Sequence, residues 1–329
     1  MKVVFQVSNI QWLSDLASLI QSTIVFSTAL IFAALGGVFS ERSGVVNIGL
    51  EGLMVIGAFS SAVVTYFVAD ATGGAAYSPW IGLLAAVLLG ILFSLLHAIA
   101  SVTFNADQVV SGVAINFLAL GFSIFMVMQF FDGSKQTKTL STVFSKVEIP
   151  LLSDIPYIGK ALFILYPTSI IAFFIVFLAW YLLYKTPFGL RLRSVGEHPA
   201  AADTLGINVS RMRYIAVMFS GALAALGGAT ITLTTSGNFA HNTVSGQGFI
   251  ALAAMIFGKW HPVGAMWAAL FFGIAQGLNS ILQIYGWTQY IPTDFVYMFP
   301  YILTILVLAG FVGKAEAPAA DGQPYIKGQ

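Results

Sequence analysis

Apolar runs long enough to cross a bilayer recur nine times along this chain, at residues 20–38, 46–68, 80–103, 108–130, 163–184, 214–234, 246–260, 263–285 and 295–313. A helical crossing needs about 20 mostly apolar residues. In hydrocarbon every backbone polar group must be paired internally, so such runs fold as helices rather than as open strands. The expectation is an all-α polytopic membrane protein with about nine transmembrane helices (8–10). Composition agrees: 8% of the residues are charged and mean hydropathy is +0.89, where soluble domains are about 25% charged.

Charge and cysteine usage exclude several classes. A net charge of +1 gives no basic face for nucleic acid, and the absence of cysteine rules out disulfides and thiolate metal sites. The four histidines, His97, His198, His241 and His261, show no ligand spacing, so no metal site is expected. No nucleophile–base pair suggests a catalytic residue. The start, MKVVFQVSNIQWLSDLASLIQS, lacks the charged start, apolar centre and small-residue cleavage pattern of a signal peptide.

Lysine and arginine set the orientation. With the N-terminus outside and nine crossings, nine basic residues fall inside (Arg42, Lys185, Arg191, Arg193, Arg211, Arg213, Lys259, Lys314, Lys327) and five outside (Lys2, Lys135, Lys138, Lys146, Lys160). All the arginines are inside. The chain reads as one transmembrane domain with halves at about 20–184 and 214–313, an inner loop at 185–213 and a tail at 315–329. The tail, rich in Ala, Pro and Gly, reads as disordered.

The halves contain a repeat. AALGG occurs at residues 33–37 and again at 224–228. Each is followed by a glycine-interrupted apolar segment, opening at Glu51-Gly52 and at Gln247-Gly248. Five apolar segments separate the starts, so the copies cross in opposite directions. Inverted repeats of this kind build transporters whose path lies where the halves meet. Gly49, Gly52 and Gly57 in one copy, and Gly246, Gly248 and Gly258 in the other, mark the interrupted segments.

The polar residues in those segments are the candidate path. Asn47 and Glu51 share a helix face at spacing four. An acid at membrane depth costs roughly 2.5–3.5 kcal/mol on insertion scales and must face protein or water. Glu51 therefore either lines a hydrophilic path or bonds a neighbouring helix. Gln247 occupies the matching place in the second copy. In the fourth segment Gln108, Gly112 and Asn116 share one face, and Asp107 and Ser111 the neighbouring one; Asp107 or Asn105 suits a helix cap. His97, in a Leu-rich span, reads as a packed, hydrogen-bonded histidine. The loop GLRLRSVGEHPAAADTLGIN holds a short helix, with Pro199 at its first position and Gly206 at its stop. A helix this short is not stable alone.

At these residues the chain resembles bacterial ABC-importer permeases of the ribose, branched-chain amino acid and nucleoside type. The resemblance spans about residues 25–312 and is carried by SERSGVVNIGLEGLMVIGAF, GLRLRSVGEHPAAADTLGINVSRMR and GNFAHNTVSGQGFIALAAMIFGKWHPVGA. NIGLEG is most like the nucleoside subgroup that works with a basic-membrane-protein-type lipoprotein receptor. The resemblance implies that Gly196, Glu197, Pro199, Ala201, Ala202 and Gly206 form a coupling helix for a separate ATP-binding cassette subunit, which carries the ATP and Mg. This chain has no GxxxxGK[ST] loop of its own. It further implies a second, different permease as partner, a solute-binding lipoprotein on the outer face, and a bacterial inner-membrane location. A sugar or branched-chain amino acid as solute is the alternative on the same architecture, and an ATP-independent secondary transporter is a third reading.

Overall fold

The computed structural model describes residues 2–155, 159, 162–284, 286, 295, 298, 302 and 316–327. Ten α-helices are described: α1 Lys2–Glu41, α2 Leu50–Thr72, α3 Ser78–Ala98, α4 Gln108–Phe130, α5 Pro167–Lys185, α6 Pro187–Glu197, α7 Pro199–Thr204, α8 Val209–Thr230, α9 Gln247–Phe257 and α10 Pro262–Ile284. The only strand pair among the described residues is a short antiparallel one, β1 Val147–Glu148 with β2 Ile164–Leu165. α3 and α8 each close with a π-helical turn, Ile99–Thr103 and Ile231–Ser236.

Six helices are long and apolar enough to cross a membrane: α1 from Leu13, α2, α3 and α8 with their neighbouring turns, α4 and α5. The chain is a multi-pass, all-α membrane protein. The expected seventh segment is the shorter apolar helix α9 and the eighth is α10, 23 residues long; the ninth, 295–313, lies almost entirely outside the described residues, which therefore do not test the count of nine. α9 is the short one for a physical reason. Its 11 residues extend only about 16 Å at 1.5 Å per residue, roughly half of a hydrocarbon core.

α1, α2 and α8 form the buried centre, and α3, α4 and α5 are mostly exposed, as lipid-facing helices are. α1 packs chiefly on α8 and α10, and α8 chiefly on α1, α3 and α2. Small residues let the two central helices touch backbone to backbone. A Cβ on Gly36 would come within 2.7 Å of the Ser220 carbonyl, and one on Gly227 within 2.6 Å of the Ala29 carbonyl. Gly36 and Gly227 hold the same place in the two AALGG copies, and Ala29 and Ser220 each stand seven residues earlier. The contact is therefore reciprocal.

Candidate functional site

Residues 42–49 interrupt the helical ladder between α1 and α2. A helix break at this depth frees backbone donors and acceptors that water cannot reach, so side chains must satisfy them. Four of the polar residues singled out in the sequence, Gln108, Asn47, Asn116 and His97, do this. The Val46 amide donates to Gln108 Oε1 at 2.7 Å, and the Gly49 amide to Asn47 Oδ1 at 3.1 Å. Asn116 serves both sides of the break: its Oδ1 accepts from the Gly52 amide at 2.7 Å, and its Nδ2 donates to the Ile48 carbonyl at 3.1 Å. His97 Nε2 lies 3.0 Å from the Val46 carbonyl, and Nδ1 2.9 Å from the Ser111 hydroxyl. A carbonyl can only accept, so in the neutral ring Nε2 carries the proton and Nδ1 accepts from Ser111. Asn47 Nδ2 donates to Ser220 Oγ at 2.9 Å, which ties the break to α8.

Glu51 caps the other interrupted segment. Its Oε1 accepts from the Gly246 amide and its Oε2 from the Gly248 amide, both at 2.7 Å. These are free donors at the start of α9, where Gly246 supplies no side-chain cap of its own. A carboxylate there satisfies orphan N–H groups and complements the positive end of the helix dipole. Gly248 permits the approach, because a Cβ would fall 2.4 Å from the Glu51 Cα. The partner of Glu51 is thus the backbone on either side of Gln247, not its side chain. The Gln247 amide group makes no hydrogen bond among the described residues and stays half-buried. Glu51, Ser111 and Asn116 also keep part of their surface accessible, whereas Asn47 is sealed.

At the end of the molecule that carries the arginines, α6 and α7 form the short-helix loop. Pro199 opens α7, and Gly206 stops it at φ +81, in the left-handed region. Ala201 and Gly206 are exposed, Ala202 and Gly196 are buried, and Leu205 is 81% exposed at the tip. Glu197 accepts from the Ala319 amide at 3.1 Å and sits 3.9 Å from Arg42. Asp107 caps α4 by accepting from the Val110 amide, as its position suggests.

Sequence reasoning missed two things. Ser220 carries no signal beyond being polar in an apolar span. The tail was expected to be disordered, yet residues 316–327 fold back onto the loop. Small Ala and Gly side chains allow that close docking; their low hydrophobicity made it invisible in composition.

A family profile described as branched-chain amino acid transport system / permease component matches residues 19–308. The guanosine ABC transporter permease protein NupQ of Bacillus subtilis is 56% identical over 95% of this chain and 98% of its own length. The nucleoside ABC transporter permease protein NupC of Lactococcus lactis is 47% identical over the same shares. A putative glucose ABC transporter permease of Haloferax volcanii is 33% identical over 81% of this chain and 78% of its own. No solved structure matches the chain. With a profile match across most of its length and relatives this similar end to end, the chain belongs to the family of branched-chain amino acid transport system permease components.

Proposed function

We propose that the chain is one permease subunit of an ATP-driven nucleoside importer in a bacterial plasma membrane. The observation that carries this reading is end-to-end similarity to a guanosine and a nucleoside permease, at 56% and 47% identity. The glucose-type relative is less similar and covers less of the chain, which favours nucleosides over the sugar alternative. α7 is the helix that docks on a separate ATP-binding subunit. Its exposed Ala201, Leu205 and Gly206 support that role. A second, different permease and an outer-face lipoprotein receptor complete the assembly.

The reciprocal packing of Gly36 on Ser220 and Gly227 on Ala29 supports two inverted copies, α1–α3 and α8–α10, that rock about the break. Glu51, Asn116, Ser111 and Gln247 line the path; Asn47, sealed against Ser220, holds the break in shape. ATP-driven closure of the partner subunits pushes α7, and movement at the α1–α2 break and the start of α9 opens the path first outward and then inward. A nucleoside would take hydrogen bonds to its ribose from these polar groups.

The test is reconstitution of the chain in proteoliposomes with an ATP-binding subunit and a second permease of the same organism, followed by labelled guanosine uptake. ATP-dependent uptake, competed by other nucleosides but not by glucose or leucine, is expected. Gradient-driven uptake by this chain alone would overturn the proposal.

A further inference from the structure

Residues 318–327 lie against the membrane domain. The segment turns at Pro318–Ala320–Gln323 through main-chain bonds, Asp321 N to Pro318 O at 3.0 Å and Gln323 N to Ala320 O at 3.2 Å. From that turn it grips three separate parts of the molecule. Toward the docking loop, the Ala320 amide donates to the Gly196 carbonyl at 2.9 Å, the Ala319 amide donates to Glu197 Oε2, and Lys327 lies 3.6 Å from Asp203. Toward the α1–α2 break, the Ala320 carbonyl lies against Gly44, where a Cβ would come within 3.0 Å, and Gly322 packs toward Val46. Toward α8, the buried Arg213 guanidinium donates through Nη1 to the Gln323 carbonyl at 2.9 Å and through Nε to the Ser43 carbonyl at 3.3 Å.

Arg213 is 1% exposed, and a buried guanidinium is costly unless its donors are used. Here two of its nitrogens join the tail to the break. The Asp321 carboxyl, itself mostly buried, faces Arg213 and Glu41 at the end of α1. Loop and break also touch directly: a Cβ on Gly196 would come within 2.3 Å of the Arg42 carbonyl and 3.2 Å of the Gly44 amide, and Glu197 lies 3.9 Å from Arg42. That contact rests on van der Waals touch and one long ion pair, whereas the tail adds hydrogen bonds to both sides, from Ala320 to Gly196 and through Arg213 to Ser43 and Gln323. The exposed Lys327–Asp203 pair adds little; the backbone bonds and the seated Ala320 carry the contact.

We propose that the tail is a mechanical strap that makes the docking loop and the α1–α2 break move as one body, with Arg213 as the positioning residue beneath it. This rests on the importer reading above. ATPase closure pushes α7, and the strap carries that displacement to Ser43, Gly44 and Val46, and so to the segment bearing Glu51. Without it, α7 would still dock, but its movement would be absorbed in the loop.

The test uses the assembled transporter in proteoliposomes. Two variants are compared with the natural chain: removal of residues 319–329, and Ala320→Arg, which unseats the strap at full length; Ala320→Ser is the conservative control. Three quantities are read: co-purification of the ATP-binding subunit, ATP hydrolysed per guanosine imported, and the melting temperature of the complex. The strap predicts retained co-purification, a melting temperature within a few degrees of the natural complex, and at least a tenfold rise in ATP used per guanosine, with Ala320→Ser unchanged. Uptake, hydrolysis and melting temperature falling in parallel would make the tail a fold anchor only and overturn the proposal. An unchanged ratio in both variants would overturn it as well. If the natural chain retains no ATP-binding subunit, the importer reading itself fails, which the variants need not be made to see.

Discussion

Glu51 on α2 and Gly248 on α9 are joined by a 2.7 Å hydrogen bond from the glycine amide to the glutamate carboxylate, and no other residue type fits opposite Glu51. The two stand 197 residues apart. The bond turns an acid that is expensive inside a membrane into the cap of a half-length helix. It also joins the two interrupted segments at the positions where a path between them would run.

Glu51→Ala leaves the Gly246 and Gly248 amides without partners. Each buried orphan donor costs about 1–3 kcal/mol, so the melting temperature of the assembled transporter should fall measurably. Guanosine uptake should fall at least tenfold while the ATP-binding subunit still co-purifies. Uptake at the natural rate would reject a role for Glu51 in the path.

Gly248→Ala places a methyl group 2.4 Å from the Glu51 Cα. Overpacking of this kind costs about 1–3 kcal/mol, and here it also pushes α9 off its cap. Gly121→Ala is the control, because nothing lies within 4 Å of a Cβ there and alanine is the better helix former by about 1 kcal/mol. Thermal melting of the purified proteins should separate the two, the first lowered and the second equal or raised.

Gln247→Ala removes a half-buried amide that bonds to nothing among the described residues. Stability should therefore stay within about 0.5 kcal/mol. A path role predicts a raised KM for guanosine at unchanged expression, read from initial uptake rates across concentration. An unaltered KM would remove Gln247 from the path.

Burial pushes the Asp321 carboxyl up from 3.8 to about 7, against the opposing pull of the Gly322 amide and Arg213. A carboxyl with a raised value favours its protonated form when docked. Its contribution to tail docking is then fully present below about pH 4 and is lost as pH rises through about 7. Hydrogen exchange in residues 318–327 should accordingly be faster at pH 8 than at pH 5.5, after correction for intrinsic rates. Asp321→Asn should weaken that dependence without abolishing it, because the Glu41 carboxyl that it faces remains; a pH-independent tail in the natural chain would contradict it.

Gly206→Ala forces a side chain into the left-handed region at φ +81, at a cost of about 1–2 kcal/mol, and distorts the end of α7. Weaker retention of the ATP-binding subunit on a tagged column is the expected result. Retention equal to the natural chain would argue against α7 as the docking element.

The sequence alone determined the class of molecule, because hydrocarbon leaves so few solutions: long apolar runs must be helices, and six are described. It also pointed to the α1–α2 break through Gly49 and to the ends of α9 through Gly246 and Gly258, although Gly52, Gly57 and Gly248 lie inside continuous helices, and to α7 through Pro199 and Gly206, since these signals are local. Local hydropathy does not by itself tell a full crossing from a half-length helix: α9 is as apolar as a crossing but has only 11 residues. Which partner each polar residue would take was a tertiary decision. Asn116 reads the same whether it faces solute or the Ile48 carbonyl, and only the packing of α4 beside the break chose. The tail shows the same limit most clearly. Its small residues promise little buried apolar area and so no order, but order came instead from backbone bonds to Gly196 and Arg213, groups that become neighbours only when α1, α6 and α8 have already come together.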